Sequence, residues 1–409
     1  MANQPMKGVR VIEVATWIFT PIAGAVLADW GADVIKVEHH LTGDSQRGLD
    51  WPHAGTFYPT MEHANRGKRS IGLALDTPQG LEILHELVRT SDVFLTSLLP
   101  SARRHLKIEL EDLRAVNPNI IYALGSAFGR RGPEAEKGGY DMGVYWCRSG
   151  GAMGVTPSDM ERMITQPSGA FGDTVGGQTI AGGIAAALFT RERTGQPSTV
   201  DVSLLSAGSW QMGLAVNTAL LTGTVDPTPP IHETTQSYSG NFRNPVMGTF
   251  RTSDRRWINL CMMQPGRYWA DFCKHIDRPD LIDDERFNTV EKLMANAGEG
   301  YAIVTEEFSK RTFAEWSERF QTLKGQWAPV QNALEVGHDP QIRANGYVVE
   351  VEDADGHKRE LLANPVQFDG TPPQLRRAPH FAEHTDEILR ELGRSEDQII
   401  QLKMDSVIT

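Results

Sequence analysis

Cysteine is scarce in this chain, long apolar runs and basic tracts are missing, and each shortage removes a class of function. Three cysteines among 409 residues, Cys147, Cys261 and Cys273, are unevenly spaced and form no C-x-x-C pair. Neither a disulfide framework nor a thiolate metal site is expected, and the thiols suit a reducing compartment. The tryptophans and histidines show no metal-ligating spacing, so no metal is expected. No apolar stretch reaches the roughly 18 residues needed to cross a bilayer. The opening MANQPMKGVRVIEV runs straight into a strand-like pattern, without the basic-then-apolar plan of a secretory signal, so a cytoplasmic location is expected. Basic residues number 40 against 52 acidic ones, a net charge of −12, with no long Lys/Arg run. That balance argues against nucleic acid or an anionic membrane as partner, and any polyanion must be met by a local basic pocket. The first strand is followed by VATWIFTPIAG rather than G-x-G-x-x-G, so the usual reason to expect a dinucleotide is missing.

What is present is a repeated strand-helix rhythm. GVRVIEVA (Gly8–Ala15) leads into a helix from Thr20-Pro21 to Ala28, stopped by Gly31, and DVIKVE (Asp33–Glu38) is a second buried-type strand. This is the length of a right-handed βαβ unit. SIGLALD (Ser70–Asp76), a helix bearing Leu81, Leu84, Leu87 and Val88 on one face, DVFLT (Asp92–Thr96), a helix near Glu109–Val116 and NIIYALG (Asn119–Gly125) continue it. The expected architecture is α/β, a parallel sheet covered by helices on both faces.

The length fits two domains, or one with an insertion. Gly223–Gly240 is proline- and threonine-rich without periodicity and reads as a linker. Beyond it come a hairpin turning at Ser253-Asp254 and helical patterns over Arg267–Ile276, Glu291–Ser309 and Phe313–Leu323, a small α+β lobe. A second irregular stretch, Gln326–Gly346, returns to strands and a terminal helix, Thr385–Leu392. The expected division is a large domain over 1–222 completed by 347–409, a small domain over 241–325, and linkers at 223–240 and 326–346.

Parallel sheets bind ligands beyond the carboxyl ends of their strands. That rule points to Trp17, Ile18, His39, Ser97, Leu98 and the loop after Gly125. Lys68, Arg69, Arg103, Arg104, Arg130, Arg131 and Lys137 flank strand ends. Each alone reads as a solvated charge, whereas together they could meet the phosphates of a cofactor. Asp173, in GAFGDTVGGQT, stands just before a helix of small residues, GGQTIAGGIAAALFTRERTG. It reads either as an N-cap or as a nucleophile. In both readings the helix terminus would keep its carboxylate ionised at neutral pH. Tyr140 and Asp141, in GGYD, read as structural.

Several ordered blocks carry a resemblance: MKGVRVIEVATWIFTPIAGAVLADWGADVIKVE, NRGKRSIGLALDTPQG, NPNIIYALGSAFG, GDTVGG, RERTGQPSTVDVSLL, RRWINL, WAPV and EHTDEILRELG. Over essentially its whole length the chain resembles the class III coenzyme A transferases, which include formyl-CoA and carnitine CoA-transferases and the related α-methylacyl-CoA racemases. The resemblance implies a Rossmann-like large domain, a smaller inserted domain and an interlocked homodimer. It implies coenzyme A as cofactor, entering as an acyl-CoA donor, and a carboxylic acid acceptor. It assigns the nucleophile to Asp173, which would form a mixed anhydride and then an aspartyl-CoA thioester. Residue by residue it places Trp17, Ile18, His39, Asn65, Lys68, Ser97, Leu98, Lys137 and Tyr140 about the CoA. Formyl-CoA transferases have Arg in place of His105, and the neighbouring Arg104 is expected to meet the phosphate in its stead. Those enzymes also have Gln where Ile18 stands, Arg where His39 stands and glycines in place of Phe242, Arg243 and Asn244, which argues against formate and oxalate. Arg243 and Gln264 are candidates for recognising the acceptor carboxylate. The racemase branch has His in place of Tyr140, and a phenol with a pKa near about 10 is a poor substitute in proton abstraction. A racemase, epimerase or CoA-linked lyase, and a non-catalytic CoA-binding homologue, stand as the alternatives.

Overall fold

A computed structural model describes residues 4–49, 57–225 and 244–409. Arg243 and residues 226–240 of the expected first linker lie outside the described residues. Among them the chain forms two compact units. The larger spans Met1–Ala152, Thr165–Asn217 and Asp339–Thr409; the smaller spans Met153–Ile164 and Thr218–His338.

The larger unit is built on six strands: β1 (Arg10–Val14), β2 (Asp33–His39), β3 (Arg69–Leu73), β4 (Val93–Thr96), β5 (Ile121–Ser126) and β6 (Thr199–Ser203). They lie in the order β3-β2-β1-β4-β5-β6, every pairing parallel. Helices cover both faces, so β4 and β5 are near-continuous apolar runs, while β1 and β2 bury Glu13, Lys36 and Glu38 among their apolar residues. On one face Val11, Val34, Val93, Leu95, Ile121 and Ala123 pack with Ile22, Val26, Ile180 and Ile184. On the other, Ile12, Ile35, Phe94 and Tyr122 pack with Ile83, Leu84, Leu87, Leu389 and Ile399. Strand order reverses between β1 and β4, and it is at such a switch point that open α/β sheets part to admit ligands.

The first seven α-helices along the chain are α1 (Phe19–Asp29), α2 (Pro59–Asn65), α3 (Pro78–Arg89), α4 (Pro100–His105), α5 (Leu110–Val116), α6 (Gly151–Val155) and α7 (Phe171–Thr194), and Thr385–Glu391 and Glu396–Met404 supply Leu389 and Ile399. Local chemistry fixes their starts: Thr77 accepts the Gly80 N–H ahead of α3, whose first residue is Pro78. The small residues of α7 serve close packing on α1. A Cβ built on Gly177 would lie 2.6 Å from the Phe19 carbonyl oxygen and from Ile22. Gly177→Ala is expected to destabilise the fold by about 1–3 kcal/mol through overpacking, outweighing the roughly 1 kcal/mol of helix propensity that alanine adds. A lower urea midpoint than the parent's would show it; an unchanged one would contradict the contact.

The smaller unit carries an antiparallel sheet of β7 (Met247–Arg251), β8 (Trp257–Cys261) and β9 (Trp327–Pro329), with the β7–β8 turn over the expected Ser253-Asp254. Trp269, Phe272, Phe287, Phe308, Trp316 and Phe320 form its core. Gln326–Gly346 is not irregular: it holds β9 and two short helices, Ala333–His338 and Pro340–Ala344. A final hairpin, β10 (Val348–Glu352) and β11 (Lys358–Leu362), belongs to the larger unit. At its turn Asp353, Asp355 and His357 bring ligand atoms within 4.8 Å of one another, but Asp353 is engaged as acceptor for the turn's N–H groups and for Arg359.

Candidate active site

Helix α7 begins abruptly. Ala170, its N-cap, adopts φ 59, and its carbonyl accepts both the Thr174 N–H at 3.0 Å and the Thr174 hydroxyl at 2.8 Å. With that proton committed, Thr174 Oγ1 accepts from His63 Nε2 at 3.0 Å. Burial holds His63 well below the usual histidine range, at about 4, so it is the neutral imidazole that makes this bond.

Asp173 lies inside the first turn of α7, not ahead of it as the sequence suggests. The cap is made by another carboxylate: both Asp141 oxygens accept the Gly172 N–H at 3.1 Å, and Asp141 also takes the Asp173 N–H. Gln166 Nε2 donates to Asp141 at 3.1 Å. Only glycine fits at 172, because a Cβ there would fall 2.2 Å from the Tyr145 ring and 2.4 Å from Asp141. With Asp141 in that place, the Asp173 carboxylate makes no hydrogen bond among the described residues. Burial, and then the Asp141 charge, push its pKa up to about 7. The expectation that the helix terminus holds it fully ionised is therefore corrected. Desolvation and a like charge outweigh the dipole, which Asp141 already neutralises. Burial raises the Asp141 pKa as well, against the N–H bonds it accepts, and Asp173, which accepts none among the described residues, is the more strongly shifted of the pair.

The other expected residues divide into two groups. Trp17 and Ile18 follow β1, Ser97 and Leu98 follow β4, and the two turns are tied by the Thr16 N–H bond to Ser97 Oγ at 3.1 Å. The Trp17 ring meets Tyr140 edge to face, centroids 5.8 Å apart, and Tyr140 is 67% exposed. His39, exposed at the end of β2, accepts N–H bonds from Leu41 and Thr42 and lies against His40. Arg104 and Lys137 are exposed cations, Arg104 paired bidentately with Glu136 and Lys137 with Glu134. Asn65 and Lys68, by contrast, are enclosed. Lys68 Nζ donates to Glu13 at 2.7 and 2.8 Å, to the Pro21 carbonyl and to Asn65. Its direct contact with a ligand is corrected, since that ammonium is saturated within the fold. Gln264 is exposed at the start of the helix Pro265–His275 in the smaller unit.

Asp141, read as structural, is so as the cap of α7; what the sequence did not show is its place beside Asp173. It lies 32 positions before Asp173, at no helical or strand spacing from it, and the only signal was its place beside Tyr140 after a glycine pair.

Comparison with known proteins gives the class of this molecule: it is an enzyme that transfers coenzyme A. The chain belongs to CoA-transferase family III, whose sequence model matches residues 6–385. It is 29% identical to (R)-2-hydroxy-4-methylpentanoate CoA-transferase of Clostridioides difficile, over 98% of this chain and 99% of that protein. Cinnamoyl-CoA:phenyllactate CoA-transferase of Clostridium sporogenes is 30% identical over 98% and 97%. Among solved structures, a CAIB/BAIF family protein from Brucella suis superposes with a TM-score of 0.80 at 27% identity, covering 95% of this chain and all of that one.

Proposed function

We propose that the protein moves CoA from an acyl-CoA thioester to a free carboxylic acid through covalent intermediates on Asp173. The observation that carries this reading is the absence of hydrogen bonds on the Asp173 carboxylate among the described residues, its helix-capping role having passed to Asp141. A partly desolvated carboxylate without donors around it keeps its lone pairs for attack.

The Asp173 carboxylate adds to the thioester carbonyl and the C–S bond breaks, giving a mixed anhydride and CoA thiolate. The thiolate then attacks the aspartyl carbonyl, releasing the donor's acid as a carboxylate and leaving an aspartyl-CoA thioester. The acceptor carboxylate attacks that thioester, freeing the thiolate and forming a second anhydride. Attack of the thiolate on the acceptor's acyl carbon yields the new acyl-CoA and restores Asp173. No net proton is consumed. Trp17, Ile18, His39, Ser97, Leu98, Arg104, Lys137 and Tyr140 line the CoA path in this reading. Asn65 and Lys68 stand behind it. Tyr140 in place of a histidine supports transfer over α-proton exchange.

The homodimer belongs to the same reading. Trp210, Leu220 and Leu221 are 86%, 78% and 88% exposed in the single chain, an apolar exposure that a second copy would cover.

Hydroxylamine added during turnover tests the intermediate. Peptide mass mapping is expected to find a hydroxamate at Asp173 in the presence of acyl-CoA and none without it. Modification at another carboxylate, with Asp173 unlabelled, would refute the assignment.

A further inference from the structure

Trp17 sits at φ 67, a backbone region that bulky side chains seldom occupy. Such conformations persist only where the surroundings over-determine them. Here the surroundings are four buried charges. Asp44 Oδ1 accepts the Trp17 N–H at 3.1 Å, while its other oxygen meets Lys36 Nζ at 2.8 Å. Lys36 also reaches Glu13 at 3.1 Å and the Ala15 carbonyl at 2.9 Å. Glu13 in turn binds Lys68, whose ammonium holds the Pro21 carbonyl at 2.8 Å. Asn65 and Gln46 close the loop: Lys68 donates to Asn65, Asn65 to Gln46, and the Gln46 N–H to Asp44.

The side chains of Glu13, Lys36, Asp44 and Lys68 are at most 1% exposed, and their charges cancel. Burying two ion pairs is a poor route to stability, because apolar side chains of similar volume serve as well or better. What the network supplies is fixed geometry. Its branches end on three main-chain groups, the Ala15 carbonyl and the Trp17 N–H in the turn after β1 and the Pro21 carbonyl in the first turn of α1, beside the switch point between β1 and β4.

We propose that this network is a positioning device for Trp17, with Asp44 as its contact, and that it sets the affinity for acyl-CoA rather than the chemistry at Asp173. The proposal rests on the reading that Trp17 lines the CoA path. Asp44 is a positioning residue: it acts through the Trp17 backbone and holds the indole against Tyr140.

The test is a double-mutant cycle of Asp44→Ala and Trp17→Gly, with KM and kcat measured for acyl-CoA at saturating acceptor. Asp44→Ala is expected to raise KM about tenfold and leave kcat within about threefold, a misplaced binding group rather than a missing chemical one. In the Trp17→Gly background the same change should add less than about twofold, because glycine takes a positive φ unaided and has no ring to place. Equal KM factors in both backgrounds, or a loss confined to kcat, would overturn the proposal. So would an unchanged KM in Asp44→Ala alongside a raised one in Trp17→Gly. An unchanged KM in Trp17→Gly alone would instead overturn the pocket assignment beneath it. If the alanine variant does not fold, Asp44→Asn carries the same comparison. Its Nδ2 cannot face the Lys36 ammonium, so the side chain must turn from Trp17; no KM change, or one that persists beside Trp17→Gly, would overturn the proposal there too.

Discussion

Asp173→Asn is expected to abolish CoA transfer, by at least about ten-thousandfold in kcat, while the protein still binds CoA. An amide has no anionic oxygen to add to a thioester, and Asp141, engaged with the Gly172 and Asp173 N–H groups and with Gln166, is not free to replace it. The same variant should be more stable than the parent at alkaline pH. An acid raised from 3.8 to about 7 by folding binds its proton more tightly in the folded state. Stability therefore falls as pH climbs through that window, and above it the charged form costs at most about 4 kcal/mol. Asparagine carries no such cost. The melting temperature of Asp173→Asn should exceed the parent's at pH 8, and the gap should close toward pH 4. Transfer at near-parental rate would remove Asp173 from the mechanism; a melting difference independent of pH would contradict the raised pKa of this half-buried carboxylate.

Asp141→Asn should move the pH profile without removing the helix cap. Its Oδ1 can still accept the Gly172 N–H, and the Gln166 amide can turn so that its Oε1, buried and without a hydrogen-bond partner among the described residues, accepts from the new Nδ2. What disappears is the negative charge beside Asp173, the second cause of its raised pKa after burial. For the parent, kcat/KM for acyl-CoA should rise with pH through about 7 and then level, since only the ionised acid attacks. In Asp141→Asn that limb should shift toward acid by about one unit. Burial keeps it above the ordinary carboxylate value. A limb that stays in place would mean that Asp141 does not act on Asp173 through charge.

Much of this was legible in the sequence because inner strands and amphipathic helices write themselves in period. The run Val11–Val14 had to be a strand buried on both faces, and the Leu81–Leu84–Leu87–Val88 stripe had to be a helix packed on it. Strand β6 was not legible: Thr199–Ser203 lies at the sheet edge, alternates exposed and half-buried residues, and is too short and polar to stand out. Nor was the helix Glu396–Met404, which buries only Ile399. Asp173 could be singled out from its glycine-flanked setting, but its raised pKa could not, because the cause is a carboxylate brought in from another segment. Lys68 was misread for the same reason: a lysine before a strand looks like a phosphate ligand until Glu13 and the Pro21 carbonyl are seen around it.

The seam between α1 and α7 limits how such an enzyme can diversify. A Cβ at Gly176 would lie 2.3 Å from the Phe19 ring, as one at Gly177 would collide with the Phe19 carbonyl, so any heavier residue there wedges the two helices apart. Because the turn holding Trp17 leads into α1 and α7 carries Asp173, in the mechanism proposed above that wedge would separate the thiol carrier's berth from the acid that must reach its acyl group. New acyl preferences should therefore arise from changes elsewhere in the chain, with these two positions left as hydrogen.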